Sequence, residues 1–374
     1  MKVNIYIYTS LLTALLIGWG CLLSSCTDHS EMEQPYTGES EGEPLHIVGM
    51  TRTGDETSDS DPMQGQSVQL FLDDGVKTPI PSEAVTYHGK TTSSSDLFGN
   101  TTTLKVKPGA DYYVFGFLPS NANAITEETN GNSSVTVNSE TKIATMTIEN
   151  LPSLSTKDVC VVIGAKGKLG TNEKVDVGSF KYHAPENTEE GFGVSLLVDH
   201  LFAALDFNIS VGATYNAVRT IKLKKVVMKS TSAKKVTAVI TLKMNDNKDN
   251  PITNVAFTPS ETAQEEMTLY QSEDVNGTAL DVTTPISFTG FYGAGIKIDN
   301  TTSLGSTLSI ESTYDIFDKD NHLIEANRTA VNNLATVLSN ISRGKKVNLD
   351  LKVIPTYLYI LSDNELDNPT IVVE

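Results

Sequence analysis

The stretch Val347-Asn348-Leu349-Asp350-Leu351-Lys352-Val353 alternates strictly between apolar and polar side chains. Successive side chains of a β-strand point to opposite faces, so a period of two predicts a strand with one buried face and one wet face. Leu104-Lys105-Val106 repeats the pattern on a smaller scale. Alternation of this kind is typical of antiparallel sheets packed on one side. The predicted fold class is therefore all-β.

Similar runs of β-branched and aromatic residues recur along most of the chain, separated by clusters of Gly, Asn, Asp, Ser and Pro. Short strands with turn residues between them are typical of β-sandwiches. The predicted strands fall into two series, one at 45–50, 68–72, 102–106, 112–118, 143–148, 159–163 and 194–198, and one at 205–209, 221–228, 236–242, 255–258, 286–292, 308–314, 347–354, 357–361 and 370–373. We predict two tandem sandwich domains, 45–200 and 201–374.

Helical periodicity is rare in this sequence. It is clearest late in the chain, where Gly344 could end a helix. The apolar residues that would share one face of that helix are Val331, Leu334, Ala335, Leu338 and Ile341.

The first 25 residues have the features of an export signal. Lys2 is the only charged residue before Asp28, and residues 5–23 are apolar or small. Glycine and hydroxyl residues shorten the apolar core, and no basic cluster follows it, which argues against a transmembrane anchor. We predict a signal peptide over residues 1–25.

The residues that follow this signal predict a lipid anchor. Leu23-Ser24-Ser25-Cys26 resembles the bacterial lipobox, whose cysteine is acylated and becomes the new N-terminus. Cys21 is the competing candidate, but bulky Trp19 stands two residues before it. Acyl chains such as palmitate on Cys26 would hold the protein on a membrane. Residues 26–44 are acidic and poor in large apolar residues, which predicts a solvated tether.

The charge balance excludes one class of partner. The chain has 28 Lys and Arg against 46 Asp and Glu, a formal net charge of −18. A nucleic-acid binder needs a basic face for the phosphate backbone, so no nucleic-acid partner is expected.

A search for chemistry finds no nucleophile elbow, phosphate loop or zinc-binding motif. Asp199-His200 is the one suggestive pair, and a structural histidine at a domain junction explains it better than catalysis. Cys160 lies in the apolar run 159–163, which favours a small buried side chain over a nucleophile. The acidic clusters lack calcium-loop spacing and are typical of hairpin turns. We therefore predict no enzyme activity, no catalytic residue, no metal and no cofactor.

Arg52 is one of four arginines in the chain and follows the first predicted strand. After it comes an acidic loop rich in Ser and Gly that runs to Gly65. Its charge can be a solvated loop charge, or it can mark a protease site, because cleavage needs an extended and exposed backbone.

Taken in order, the lipobox, the acidic tether, the two strand series and Thr51-Arg52 just past the first strand resemble the fimbrillin family. These proteins are the lipoprotein pilins of Bacteroidales fimbriae, the type V pili. Residues 112–119, residues 200–205 and the tail 344–374 are also similar to the family pattern. The resemblance spans nearly the whole chain.

The resemblance implies two transthyretin-like sandwiches and a life cycle. A lipidated precursor reaches the outer membrane, an arginine-specific protease cuts after the first strand, and the opened groove accepts a strand from a neighbouring subunit. Here the cut would fall between Arg52 and Thr53. The displaced strand would carry Leu45, Ile47 and Val48, and the donor strand would carry Tyr357, Tyr359, Ile371, Val372 and Val373.

The expected function is therefore a structural fimbrial subunit that serves in adhesion. Its implied partners are other copies or related pilins, the outer membrane and the protease, and the role allows a host surface receptor. The expected location is the outer membrane and the fimbrium. The alternative is a surface lipoprotein that does not polymerise: a fimbrial anchor or tip subunit, or a module that binds glycan or host protein.

Overall fold

A computed structural model describes most of the chain from Gly42 onward. The described residues are 42–53, 63–90, 100–120, 133–167, 169, 173–187, 191–230, 235–244, 249–259, 265–293, 308–334, 338 and 341–354. Several predicted features lie outside them: the signal peptide, the lipidation site at Cys26, the tether up to residue 41 and the tail strands at 357–361 and 370–373.

The described residues form an all-β protein, which confirms the predicted class. The strands are β1 (Glu43–Arg52), β2 (Ser67–Asp73), β3 (Ile80–Pro81), β4 (Val85–Thr86), β5 (Thr101–Val106), β6 (Asp111–Leu118), β7 (Ser133–Asn138), β8 (Ile143–Pro152), β9 (Leu154–Ser155), β10 (Cys160–Gly167), β11 (Lys181–His183), β12 (Phe192–His200), β13 (Ala203–Val211), β14 (Thr220–Ser230), β15 (Lys235–Lys243), β16 (Ile252–Pro259), β17 (Glu265–Gln271), β18 (Thr278–Ala279), β19 (Ile286–Tyr292), β20 (Leu308–Phe317), β21 (Leu323–Asn333) and β22 (Lys346–Val353). One short helix of six residues, α1 (Ala213–Val218), precedes β14. Over these same residues, no helix has the length and apolar character needed to span a membrane.

The largest sheet is built by strands from the N-terminal series. Its order is β3-β2-β6-β10-β12-β1-β5, with β11 beside β6 and β4 beside β2. The first strand therefore lies inside the sheet, parallel to β12 and antiparallel to β5. Backbone groups on both sides of β1 are thus engaged by neighbouring strands.

Three smaller sheets complete the fold, in the orders β22-β13-β19-β9, β17-β14-β20-β21 and β16-β15-β8-β7. Two of them combine strands from both sides of residue 200. In one, β8 pairs with β15 over most of its length, and in another β9 pairs with β19. The chain segments on either side of the predicted domain boundary are therefore joined by backbone hydrogen bonds, while the boundary itself stays a prediction.

Two apolar cores lie on opposite faces of the largest sheet. In β10, Val161 and Ile163 belong to the larger core, while Cys160 and Val162 belong to the smaller one. A strand that is buried on both faces carries apolar side chains at successive positions instead of alternating ones. This burial explains why residues 159–163 form an unbroken apolar run.

The predicted late helix is wrong in its first part. Val331 lies in β21, where it pairs with Glu311 of β20 and is 62% exposed. Because β20 pairs with β14 on one side, its other side also needs hydrogen-bond partners, and β21 supplies them. Among the described residues of this pattern, the amide of Leu338 donates to the carbonyl of Leu334 at 2.8 Å, as in an α-helix, and the amide of Ile341 donates to the carbonyl of Leu338 at 3.0 Å.

Candidate functional site

The apolar side chains of β1 fill a groove between two strands. Leu45 and Ile47 are completely buried and Met50 is 6% exposed, all within the smaller core. Val48 is half-buried, because the register against β12 shifts between Ile47 and Gly49. Such a bulge turns a side chain away from its usual face. The predicted strand at 45–50 thus lies within a longer strand whose buried face includes Leu45 and Ile47.

Side chains from other elements also hold the backbone of β1. The hydroxyl of Thr102 donates to the carbonyl of Leu45 at 2.9 Å. The amide of Met50 donates to the phenol oxygen of Tyr87 at 3.1 Å. Burial and hydrogen bonding together keep this strand in place in the intact chain.

Arg52 is the last residue of β1, not a residue of the loop after it. It pairs in register with Val198, and the amide of Thr53 donates to the carbonyl of Val198 at 3.0 Å. The guanidinium contacts the carboxylate of Asp158 at 2.6 Å and is only 20% exposed, so the alternative of a solvated loop charge does not hold. The predicted cleavage point between Arg52 and Thr53 therefore lies at the end of β1.

The end of β1 meets a group of polar side chains that we call the junction cluster: Arg52, Thr53, Asp158, Asp199, His200, Asn250 and Arg343. Asp199 accepts from the hydroxyl of Thr53 at 2.5 Å and from the amide of Asn250 at 2.8 Å, and it pairs with Arg343 at 2.6 Å. Residues 250 and 343 belong to the second strand series. The cluster thus connects the first strand to both series.

Adjacent residues of β12 have different partners in this cluster. His200 donates from Nδ1 to Oδ2 of Asp158 at 2.7 Å, and the backbone amide of His200 donates to Asp199. The structural role predicted for His200 agrees with this position, but its side-chain partner is Asp158, 42 residues away, and not the neighbouring Asp199.

Burial and neighbouring charges have opposite effects on the pKa values of His200 and Asp199. Burial alone would lower the pKa of His200, but the hydrogen bond and charge of Asp158 outweigh it and hold that pKa above its ordinary value. Burial alone would raise the pKa of Asp199, but the charge of Arg343 and the hydrogen bond from Thr53 hold it below its usual range. Asp199 is therefore an ionised carboxylate near neutral pH.

Cys160 lies at the inner side of the cluster. It is directly opposite His200 in the pairing of β10 with β12, and it is completely buried. The predicted burial of this side chain is confirmed. His200 and Arg52 are both close to the thiol. Burial nevertheless raises the pKa of the Cys160 thiol well above its ordinary value, which opposes formation of a nucleophilic thiolate.

Sequence reasoning missed the central member of the cluster, Asp158. No local motif surrounds it, and its contacts span 106 residues to Arg52 and 42 residues to His200. Arg343 and Asn250 were missed for the same reason. The predicted donor residues Tyr357, Tyr359, Ile371, Val372 and Val373, and the lipidation site Cys26, lie outside the described residues.

The fold defines an all-β protein whose N-terminal strand occupies an interior place in a sheet. No family model matches this chain, and no curated protein matches it. Solved structures similar to it include a fimbrial protein from Bacteroides vulgatus, with 16% identity, a TM-score of 0.36 and coverage of 82% of this chain and 95% of that chain. Another is the fimbrial anchor protein Mfa2 from Porphyromonas gingivalis, with 11% identity, a TM-score of 0.30 and coverage of 83% and 90%. Similarity at these TM-scores does not indicate a function, so the proposed function rests on the residues of this chain.

Proposed function

We propose that this protein is a structural fimbrial subunit that polymerises by strand exchange. It is exported as an outer-membrane lipoprotein anchored through Cys26, and an arginine-specific protease cuts it between Arg52 and Thr53. A strand from a neighbouring subunit then takes the place of β1. In this proposal the two strand series are tandem transthyretin-like sandwiches, and the mature subunit is located in the fimbrium, where it serves in adhesion and holds no catalytic site.

The observation that carries the proposal is the interior position of β1. Its departure would expose an unpaired edge on β12 and another on β5. It would also leave an apolar groove where Leu45, Ile47 and Met50 are now buried. Two unpaired strand edges with an apolar groove between them favour the binding of an extended segment, which is the β-augmentation mode of recognition.

The energetics of burial explain why a donor strand can replace β1 only after cleavage. The burial of Leu45, Ile47 and Met50 contributes about 2 kcal/mol for each side chain. While β1 is covalently attached, a donor strand competes with a segment that is always present at high effective concentration. Cleavage removes that advantage, so the groove becomes available to another subunit.

The predicted donor is the tail, with Tyr357 and Tyr359 in one segment and Ile371, Val372 and Val373 in another. Support comes from the alternation and β-branched character of these segments. Because donor and acceptor are different parts of the same chain, each contact is head to tail and leaves a free groove and a free tail. Such contacts generate a filament, and related pilins with the same parts can join it.

The matched substitution Arg52→Lys tests this function in cells. Lysine keeps a positive charge facing Asp158 but is not a substrate for an arginine-specific protease. We expect cells that produce this variant to carry the uncut lipoprotein and to lack surface filaments in electron micrographs. Arg219→Lys is the control and should leave filaments at the wild-type level. Wild-type filament levels with Arg52→Lys would overturn the proposal.

A second function is favoured by the ordered position of Arg52. Its ion pair with Asp158, and the hydrogen bond from Thr53 to Val198, suit a chain that stays uncut. Such a chain would act as an anchor or tip subunit, or as a surface module that binds glycan or host protein. It would show a full-length protein on the cell surface and binding by the intact monomer, whereas the pilin would show a trimmed subunit in the filament.

A further inference from the structure

Three side chains of different chemistry converge at the inner side of the junction cluster. Cys160 and His200 are direct cross-strand partners in β10 and β12. Asp158 precedes Cys160 by two residues, and side chains two apart on an extended chain point to the same side. One carboxylate oxygen, the Cys160 sulfur and one ring nitrogen of His200 all lie within 4.8 Å of one another.

These atoms are suitable ligands for one kind of metal ion. Thiolate, imidazole and carboxylate are the three protein ligands of zinc, which takes them at about 2.0 to 2.3 Å in a tetrahedral arrangement. Ligands so close to each other can reach a common centre with small rotations of their side chains. A water molecule would provide the fourth ligand.

A second observation concerns the carboxylate of Asp158. Its side chain is only 6% exposed. Oxygen Oδ2 is bonded to both Arg52 and His200, but oxygen Oδ1 is buried and has no hydrogen-bond partner among the described residues. A buried carboxylate oxygen without a partner is costly, and a metal ion can satisfy it.

The charge of Arg52 opposes the binding of a metal ion at Asp158. Its guanidinium nitrogen Nη1 lies 2.6 Å from Oδ2 of Asp158, so it already provides the positive charge next to the ligand group. A divalent ion in the same place would be repelled by that charge. The cleavage proposed above would let Arg52 leave with β1.

We propose that Asp158, Cys160 and His200 form a zinc site that Arg52 closes in the intact chain and that opens when Arg52 departs. On binding, the Cys160 thiol loses its proton to solvent and a sulfur–zinc bond forms, and any proton on the His200 nitrogen that binds the zinc passes to solvent as well. The physiological opening step rests on the proposed function, but the ligand group itself does not. In a filament subunit the ion would replace the positive charge that leaves with β1, so the buried carboxylate of Asp158 would not depend on His200 alone.

Cobalt(II) is a suitable probe, because a thiolate bound to cobalt gives an intense near-ultraviolet charge-transfer band. The full chain with Cys21→Ser and Cys26→Ser retains Cys160 as its single thiol. In this background Arg52→Met removes the guanidinium and keeps an aliphatic side chain. We expect this variant to bind one cobalt ion per chain with the charge-transfer band, and added zinc to abolish the band.

Two comparisons make the result specific. The background chain with Arg52 intact, and the same chain with Arg219→Met, should bind cobalt at least tenfold more weakly. Adding Cys160→Ser to the Arg52→Met chain should remove the band. No band in a folded Arg52→Met chain, or a band that survives Cys160→Ser, would overturn the site. Equal binding with Arg52 present would overturn its closing role.

Circular dichroism checks that the variant is folded, and Arg52→Gln replaces it if it is not. The experiment involves no cleavage, so its failure is distinct from a failure of polymerisation. Filaments without metal binding would contradict this inference alone, while metal binding without filaments would contradict the proposed function alone.

Discussion

Nη1 of Arg52 lies 2.6 Å from Oδ2 of Asp158, and the two residues are 106 positions apart in the chain. The contact joins the last residue of the first strand to the segment just before β10. Asp158 is 6% exposed and Arg52 is 20% exposed, so the pair is largely shielded from water. The residue that we propose as the protease site is therefore also part of the electrostatic structure of the folded chain.

Removing the guanidinium should destabilise the fold. Arg52→Met leaves the carboxylate of Asp158 with His200 as its remaining charged partner, and a buried charge that loses a partner is costly. We expect a loss of about 2 kcal/mol in the free energy of unfolding, measured by urea denaturation at pH 7. Arg219→Met is the control, since its guanidinium donates to the neighbouring carbonyl of Val218 in an exposed hydrogen bond. Equal losses in both variants would contradict a special role for the pair.

Weakening the same pair from the other side should speed cleavage. Asp158→Asn removes the charge that holds Arg52 in place, so the end of β1 should open more often. We expect an arginine-specific protease to cut this variant after Arg52 several-fold faster than the wild type, as measured by mass spectrometry. Asp350→Asn, in β22, should not change the rate. Faster cutting at Arg219, Arg328 and Arg343 as well would indicate global unfolding and count against local opening.

A close contact between β1 and β12 should be sensitive to one methyl group. A Cβ atom at Gly193 would lie 2.5 Å from Cγ1 of Val48, which is closer than van der Waals contact permits. We therefore expect Gly193→Ala to lower stability by about 1–3 kcal/mol through overpacking. Adding Val48→Ala should recover part of that loss. A double-mutant cycle with no coupling would mean that the strain is relieved elsewhere.

The pair Asp206 and Lys346 joins β13 to β22 and predicts a pH dependence. Their charged atoms are 2.7 Å apart. Burial alone would raise the pKa of Asp206, but the hydrogen bonds from Lys346 and Thr289 hold it below its ordinary value. A lowered carboxyl pKa contributes stability above about pH 4, and this is lost as pH falls through the folded value.

Replacing either partner should remove this contribution. We expect Asp206→Asn and Lys346→Met each to cost less than about 1 kcal/mol at pH 7, because the lysine is largely exposed. The difference from the wild type should shrink as the pH is lowered through the folded pKa of Asp206, because a carboxyl that is protonated in both the folded and the unfolded state no longer contributes. A gap that stays constant with pH would show that the pair does not act through charge.

Local sequence pattern was enough to predict many of the strands, although not β7, β17 or β21, and it did not predict their partners. The expected segment 45–50 lies inside Glu43–Arg52, because alternation and β-branching are properties of the strand itself. Its parallel partner is β12, roughly 150 residues farther along the chain, and that pairing depends on the whole fold. The same limit explains the late helix, where the spacing of Val331 and Leu334 fitted a helix but β20 required an edge partner.

The junction cluster could not be predicted from the sequence for a related reason. The sequence indicates Arg52 through its place after a strand, and it indicates His200 through its neighbour Asp199. Nothing in the sequence connects the two. The residue that joins them, Asp158, has no local motif around it, and only the pairing of β10 with β12 brings it beside His200. Polar groups gathered from distant segments leave no periodic signal in the sequence.

The most direct test of the central claim is electron microscopy of the purified chain after treatment with an arginine-specific protease. Mass spectrometry on the same sample reports whether cleavage occurred between Arg52 and Thr53, and Arg52→Lys provides the uncut control. The account predicts that cleaved protein loses β1 and assembles into filaments, while the control stays monomeric. Protein that is cut after Arg52, has released β1 and still remains monomeric would contradict it.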